Sequence, residues 1–241
     1  MIGALRAEAL KLRRSLVMLV LAVPPVMIAI LSVLVRLSGN GPPDWTVYAM
    51  STAAIWAYFL LPMTATGMTA LLAQLEHSNG MWAHILAVRT PKWKIFTAKG
   101  VMAAVLMAVA SIGVWTAIFI SGHLANALAP ADALAGEPGY LNAASLLAKM
   151  YLASLLLVAI QLTIALRFSS FALPVSVGIG GTFVAVAATS SKYGVYFPWL
   201  LPINMLASEA TRAELALWIG GLGGGVMLIA LVLWLSGRDW R

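Results

Sequence analysis

The sequence predicts an all-α integral membrane protein with six transmembrane helices, and two observations carry this prediction. The mean hydropathy is +0.94 and only 10% of the 241 residues are charged, so the chain cannot present a water-facing surface on all sides. Six stretches are free of charge over about the 20 residues that a spanning helix needs. Lipid offers the backbone no hydrogen-bonding partner outside its own segment, so these stretches are predicted as helices.

The predicted spans, in chain order, are residues 15–35, 49–74, 100–122, 150–166, 168–191 and 215–237. The second and third are trimmed to bilayer thickness from longer apolar runs. The fourth is short, and Lys149 extends its side chain to the interface so that the helix begins near Ala144. Residues 1–241 form one transmembrane domain, since no polar stretch is long enough for a separate soluble domain.

An interfacial amphipathic helix is predicted ahead of the first span, over residues 1–14. Leu5, Ala9 and Leu12 share one helical face, and the basic residues lie elsewhere on the helix, which is typical of a helix on anionic lipid. A cleaved signal peptide is the alternative. The first span is too long for one and lacks a small-residue cleavage site before Arg36, so a retained span is favoured.

The distribution of basic residues predicts a multi-pass protein with both termini in the cytoplasm. With six alternating crossings, the cytoplasmic side holds Arg6, Lys11, Arg13, Arg14, Arg89, Lys92, Lys94, Lys99, Arg167, Arg238 and Arg241. The outer side holds only Arg36, Lys149, Lys192 and Arg212. Because the basic residues lie between apolar runs, membrane topology explains the pI near 10.0, and no nucleic acid is expected as a partner.

The trimmed spans contain no ionisable residue, so no intrinsic proton or sodium relay is predicted. Gln74, Thr116 and Gln161 are the deepest polar side chains, and such groups more often join helices than bind substrate. The chain has no cysteine and three histidines outside any catalytic or metal-binding motif, and it lacks a G-x-x-x-x-G-K-[ST] loop. We therefore expect no enzyme activity, metal or cofactor in this chain, and energy supplied by another chain.

The cytoplasmic segment 76–98 interrupts the apolar pattern. It begins at Glu76, continues through an apolar stripe that includes Trp82 and Leu86, and breaks at Thr90-Pro91. Basic residues then surround Trp93, as is typical where a helix enters a membrane. The pattern fits either an amphipathic loop on lipid headgroups or a short helix that offers a binding surface to a partner.

Three stretches in register resemble one family of membrane proteins. They are "ALRAEALKLRRS" before the first span, "LLPMTATGMTALLAQLEHSNGMWAHILAVRTPKWKIFTAK" across the second span and its loop, and "YFPWLLP" between the fifth and sixth spans. The chain resembles the permease subunits of ABC-2-type exporters, and among them most closely the lantibiotic-immunity permeases. The resemblance implies a half-transporter of the bacterial inner (cytoplasmic) membrane. Its loop after the second span is then a coupling helix, seated in a groove of a separate ATP-binding subunit.

The resemblance also assigns residues to these elements. The coupling segment takes Glu76, Trp82, Leu86, Arg89, Pro91 and Lys92, and the interfacial helix takes Glu8, Lys11 and Arg13. It implies that ATP and Mg²⁺ bind to the partner subunit and that a second permease, identical or different, completes the pathway. The expected role is export or extraction of an amphipathic substrate such as an antimicrobial peptide. The alternatives are a non-transporting membrane scaffold or sensor, and an intramembrane enzyme.

Residues 193–208, "YGVYFPWLLPINMLAS", are too few to cross the membrane and are interrupted by prolines, which predicts a re-entrant hairpin on the outer side. In the resembled family this element roofs the pathway, and its candidate gate residues are Phe197, Pro198, Trp199 and Pro202. An aromatic belt at the interface is an equally supported interpretation of the same residues. In the sixth span, two G-x-x-x-G pairs predict close helix packing, more simply within the bundle than with a second permease.

Overall fold

The computed structural model describes residues 1–13, 15–39, 41–77 and 90–237, and within these it is helical with no β-strand. The helices are α1 (Ile2–Leu12), α2 (Leu16–Leu37), α3 (Trp45–His77), α4 (Lys92–Leu128), α5 (Tyr140–Arg167), α6 (Ala172–Ala188) and α7 (Ala210–Ser236). One turn of α3, Trp56–Leu60, is a π-helix, and a single parallel bridge joins Asp44 to Ala135. Two short 3-10 helices, Lys192–Tyr196 and Ile203–Leu206, lie between α6 and α7.

Five of these helices, α2, α3, α4, α5 and α7, are long and apolar enough to cross a membrane. The chain is therefore a multi-pass membrane protein. The predicted fifth span, 168–191, appears as the shorter apolar helix α6, whose 17 residues measure about 25 Å against a hydrocarbon thickness of about 30 Å.

The predicted boundaries differ most at α4, which spans 37 residues where 100–122 was expected. At 1.5 Å per residue this helix is about 55 Å long, so it continues well beyond a bilayer. Trimming the apolar run to bilayer thickness therefore placed both ends of this helix outside the predicted span, although they are helical. As a result, the connection between α4 and α5 covers residues 129–139 and is shorter than the stretch between the predicted spans.

Helix α3 lies at the centre of the bundle and α2 and α7 lie at its periphery. The most apolar window of α3 is 67% buried, whereas those of α2 and α7 are 22% buried. The exposed positions of α7 include Trp218, Leu222 and Val226, as expected for a surface covered by lipid tails. The core around α3 is apolar, with Trp56, Leu61 and Met68 fully buried.

One of the two predicted G-x-x-x-G pairs makes a close helix contact. A Cβ added at Gly220 would overlap the backbone of Ala153, and one at Gly224 would come within 2.6 Å of the Leu155 carbonyl carbon. The prediction of packing within the bundle holds for this pair, which lets α7 meet α5 at backbone distance. The other pair, Gly221 and Gly225, has nothing within 4 Å of an added Cβ.

Candidate functional site

A ring of four charged side chains lies at one end of the bundle, and we call it the charge ring. Glu8 and Lys11 come from α1, Glu76 from the end of α3 and Lys99 from the second turn of α4. Glu76 and Lys99 bracket the segment predicted to contact a partner. The ring therefore joins both ends of that segment to the N-terminal helix.

The ring is closed, because each ammonium group bridges both carboxylates. Lys11 Nζ lies 2.7 Å from Glu8 Oε1 and 2.9 Å from Glu76 Oε1. Lys99 Nζ lies 3.0 Å from Glu8 Oε2 and 2.7 Å from Glu76 Oε2. Glu76 Oε2 accepts no hydrogen bond of good geometry within the described residues, so its contact with Lys99 is an ion pair by distance. The two positive and two negative charges balance.

The ring is buried, which makes its charge balance energetically important. The side chains of Glu76 and Lys99 are 0% and 1% exposed, Glu8 is 5% exposed, and Lys11 is 25% exposed. Burying a charge without a partner is strongly unfavourable, and breaking a buried ion pair by removing one partner costs about 3–5 kcal/mol. Replacing a balanced pair by apolar groups is often neutral. The ring thus fixes which helices lie together more than it adds net stability.

The protonation states on α1 follow from the ring. Burial raises the pKa of the Glu8 carboxyl, but the charge of Lys99 and the charge and hydrogen bond of Lys11 outweigh it, so the net shift is downward. Burial lowers the pKa of Lys11, but hydrogen bonds to Glu8 and Glu76 and their charges raise it above its ordinary value. Both groups are therefore held in their charged forms at neutral pH.

Helix α1 buries one residue of the apolar face that was predicted to lie on lipid. Glu8 and Leu12, one turn apart, are both buried, and Leu12 packs in the main apolar core. Ala9, predicted to share the lipid-facing side with Leu12, is exposed. The prediction counted only apolar residues, whereas the ion pairs of Glu8 turn its own side of the helix toward α4. Ile2 and Leu10 are 76% and 69% exposed on the remaining surface.

The other residues assigned to the coupling segment divide into two groups. Trp82, Leu86 and Arg89 lie outside the described residues. Pro91 is exposed and forms the N-cap of α4, whose first residue is Lys92. On α1, Arg13 is exposed at the C-cap and is not part of the charge ring.

His77 connects the same end of the bundle to α5, because its Nε2 lies 3.1 Å from the carbonyl oxygen of Ala165. The N-terminal helix, the end of α3, the start of α4 and the end of α5 therefore lie on one side of the molecule. This shared side agrees with the alternation of crossings used to assign the basic residues.

The segment 193–208 packs into the bundle near the end opposite the charge ring. Trp199 is 7% exposed, and its indole Nε1 donates to the carbonyl oxygen of Gly178 at 3.2 Å. Gly178 lies about 15 Å below the end of α6 by helix rise. Of the other gate candidates, Pro202 is buried, Pro198 is half-buried and Phe197 stacks on Trp199 with ring centroids 5.3 Å apart. Tyr193 and Tyr196, by contrast, are 66% and 60% exposed.

Gly178 is a junction of several elements in mid-helix. An added Cβ there would overlap the side chain of Thr66 on α3, and one at Gly181 would overlap the indole of Trp199. With its amide turned to suit its neighbours, Gln161 of α5 donates to the Pro174 carbonyl and accepts from the Gly178 N–H, each at 3.2 Å. Gln161 thus joins helices, as the sequence predicted.

Sequence reasoning did not identify Lys99 or the closure of the ring. Its members on α1 are separated from those on α3 and α4 by 65 to 91 residues along the chain. The sequence did contain a signal for the two carboxylates. Glu8 and Glu76 are two of only three acidic residues among the first 131; Glu8 precedes the first apolar stretch and Glu76 follows the second. In the described residues, no group of three His, Cys, Asp or Glu side chains has a metal-binding arrangement.

A comparison with protein families decides the class of the protein. The family model described as "ABC-2 family transporter protein" matches residues 4–185, which include all four members of the charge ring. The chain belongs to the ABC-2 transporter family. Membership of this family implies a membrane permease that works with an ABC ATP-binding subunit. A search of curated proteins found no match to this permease.

Proposed function

We propose that this permease is the membrane-spanning subunit of an ATP-driven exporter, with no catalytic residue of its own. ATP and Mg²⁺ bind to a separate ATP-binding subunit, and the segment 76–98 is the coupling segment that this subunit grips. ATP binding pulls the segment and tilts the helices, so access alternates as a rigid-body response to work done on the permease. A second permease, identical or different, completes the pathway.

The charge ring is the observation that carries the proposal. It links the two ends of the coupling segment through Glu76 and Lys99 and attaches both to α1. Work applied to a connection with independent ends would be lost in local motion of those ends. A connection whose ends are joined directly by the Glu76–Lys99 ion pair, and again through α1, moves with α3 and α4 as one unit.

The proposed topology has six crossings, with both termini in the cytoplasm of a bacterial cell and α6 as a short fifth span. The basic side holds α1 and the coupling segment. The segment 192–206 is then a re-entrant element of the outer side, in which Trp199 reaches Gly178. Its ends are held by Arg212 of α7, whose Nε donates to Asn204 Oδ1 at 2.7 Å and whose Nη2 donates to the Ser191 carbonyl at 3.4 Å.

We propose an amphipathic substrate, such as an antimicrobial peptide that is exported or removed from the outer leaflet in an immunity role. An open groove of about 390 Å³ between α4 and α5 supports this class of substrate. Trp115, Leu147 and Tyr151 line it, with no charged side chain among the lining residues. Such a surface suits an apolar or aromatic group and offers nothing to a small ion.

Co-purification with the ATP-binding subunit tests the proposal. Trp82→Ala, or deletion of residues 80–86, removes apolar surface predicted from the sequence to contact that subunit, and the yield of co-purified subunit is expected to fall several-fold. The permease itself is expected to reach the membrane in normal amount. Trp218→Ala is the matched control, because Trp218 is 63% exposed on α7, away from the coupling segment.

An undiminished yield of the ATP-binding subunit with the deletion would contradict the assignment of the coupling segment. A wild-type chain that repeatedly purifies without any ATPase would instead favour the alternative, a non-transporting scaffold or sensor. The fold is compatible with that alternative, but the family match favours the transporter.

A further inference from the structure

The charge ring includes the N-terminal helix, which a connection between α3 and α4 does not require. Glu76 and Lys99 are near enough to pair with each other directly, at 2.7 Å. Two further charges from α1 complete the cycle, and Glu8 contacts Lys99 as well as its own neighbour Lys11. This arrangement buries four charges, although the two charges of Glu76 and Lys99 alone would join α3 to α4.

We propose that Glu8, Lys11, Glu76 and Lys99 act together as positioning residues that make α1 a third leg of the coupling unit. This inference rests on the proposed function. The coupling segment is then supported by α3, α4 and α1, and its movement reaches α2 through the short connection after α1. Undocking of α1 would leave the segment able to bind the ATP-binding subunit but unable to pass on its movement.

The packing of α1 supports this role. The side chain of Leu12 is 6% exposed and belongs to the same apolar core as residues of α3, α4 and α5. A small cavity of about 240 Å³ lies between α1 and the start of α4, lined by Ala4, Ala7, Thr90 and Ile95 among others. The apolar contact between these two helices is therefore incomplete, and the ion pairs decide how α1 lies against α4.

The alternation of charge around the ring gives a specific test. Inverting one pair, as in Glu76→Lys with Lys99→Glu, places like charges opposite Lys11 and Glu8. Inverting all four, as in Glu8→Lys, Lys11→Glu, Glu76→Lys and Lys99→Glu, restores every attractive contact and leaves the net charge of this end unchanged. A role that depended on any one side chain by itself would not be restored by this variant.

Docking of α1 is measured first, without any partner. The chain contains no cysteine, so Leu12→Cys introduces a single buried thiol whose alkylation by a maleimide in membrane vesicles reports undocking. Lys99→Met is expected to raise the alkylation rate by more than about tenfold, because it leaves an unbalanced buried charge. The balanced variant Glu8→Gln with Lys99→Met is expected to raise it less, and the four-charge inversion is expected to return it to the starting rate. Arg6→Met, an exposed change on α1, serves as the control.

Coupling is measured second, in the complex with the co-purified ATP-binding subunit. The single and pair-inverted variants are expected to lower the maximal ATPase rate several-fold with an unchanged KM for ATP, and the four-charge inversion is expected to restore it. A change in KM with an unchanged maximal rate would overturn the positioning role. So would increased alkylation with normal turnover, since α1 would then be dispensable for coupling.

An unchanged alkylation rate in Lys99→Met would also overturn the proposal. So would a four-charge inversion that fails to restore the alkylation rate while the balanced variant Glu8→Gln with Lys99→Met remains docked. Failure of the proposed function has a different signature. In that case no ATPase accompanies the wild-type chain, while the alkylation series still reports whether the charge ring holds α1.

Discussion

At the scale of single residues, two carboxylates determine how one end of the bundle is assembled. Glu8 is the only acidic residue before Asp44, and Glu76 is the only one between Asp44 and Asp132. Each uses both of its oxygens on two lysines, so neither carboxylate is replaceable by an amide without loss of ion pairing. In a protein with so few charges, the two lysines determine where Glu8 and Glu76 lie, and contact with solvent does not.

The shifted pKa values of Glu8 and Lys11 predict how docking of α1 depends on pH. The pKa of Glu8 is lowered in the folded protein, so its stabilising contribution is present above its ordinary value of 4.5 and is lost as the pH falls through the folded pKa. The pKa of Lys11 is raised, so its contribution is present below its ordinary value of 10.5 and is lost as the pH rises above it. Docking of α1 is therefore expected to be constant between these values and to be lost in acid.

A nitroxide at Ala9→Cys, an exposed site on α1, measures this dependence through its mobility. We expect a mobile spectrum only at pH values below 4.5, the ordinary carboxyl pKa from which the folded-state pKa of Glu8 is lowered. Glu8→Gln with the same label is the control, and it is expected to be mobile at neutral pH already. A spectral change centred near neutral pH would contradict the assignment to Glu8.

At the scale of elements, α7 uses two faces for different purposes. Gly220 and Gly224 meet the backbone of α5, whereas Gly221 and Gly225 have open space around them. Leucine substitutions at the two pairs therefore distinguish packing within the bundle from a contact with another molecule. The two sites share one helix and one depth, so each serves as the control for the other.

Gly220→Leu is expected to destabilise the purified protein because its side chain overlaps the backbone of Ala153. Overpacking of this kind costs about 1–3 kcal/mol, and a chain of this size loses roughly 2–4 °C in Tm per kcal/mol. Gly221→Leu is expected to leave the Tm unchanged. An equal loss of Tm in both variants would show that the open face is also covered, and thermal unfolding in detergent measures the difference.

Sequence patterns predicted the elements better than their contacts. The absence of charge located the spans, because crossing a bilayer constrains every residue of a stretch at once. Two boundaries were missed for a physical reason, since α4 continues as a helix outside the expected bilayer from Lys92 to Leu128. The partners that meet at Gly178 were not predicted either, because their side chains come from α3, α5 and the segment after α6. Local spacing carries no information about such long-range pairs.

At the scale of the whole molecule, the six-crossing topology is open to a direct test in the cysteine-free chain. Glu137→Cys, Ser169→Cys and Lys192→Cys are exposed sites after α4, α5 and α6, respectively. In intact cells an impermeant maleimide is expected to label residues 137 and 192, and to label residue 169 only after permeabilisation. Labelling of residues 169 and 192 from the same side would show that α6 does not cross the membrane.

The burial of Glu8 and Glu76 affects the long-range electrostatic potential at this end of the permease. In the described part of that end, both carboxylates are enclosed, while Arg6 and Arg13 are exposed and Lys92, Lys94 and Arg167 are partly exposed. The electrostatic potential in the surrounding water is therefore of one sign, which steers an acidic protein surface toward it over a range of about 10 Å at moderate ionic strength. The association rate with such a surface should fall steeply as salt is added, even though the enclosed ion pairs are barely screened.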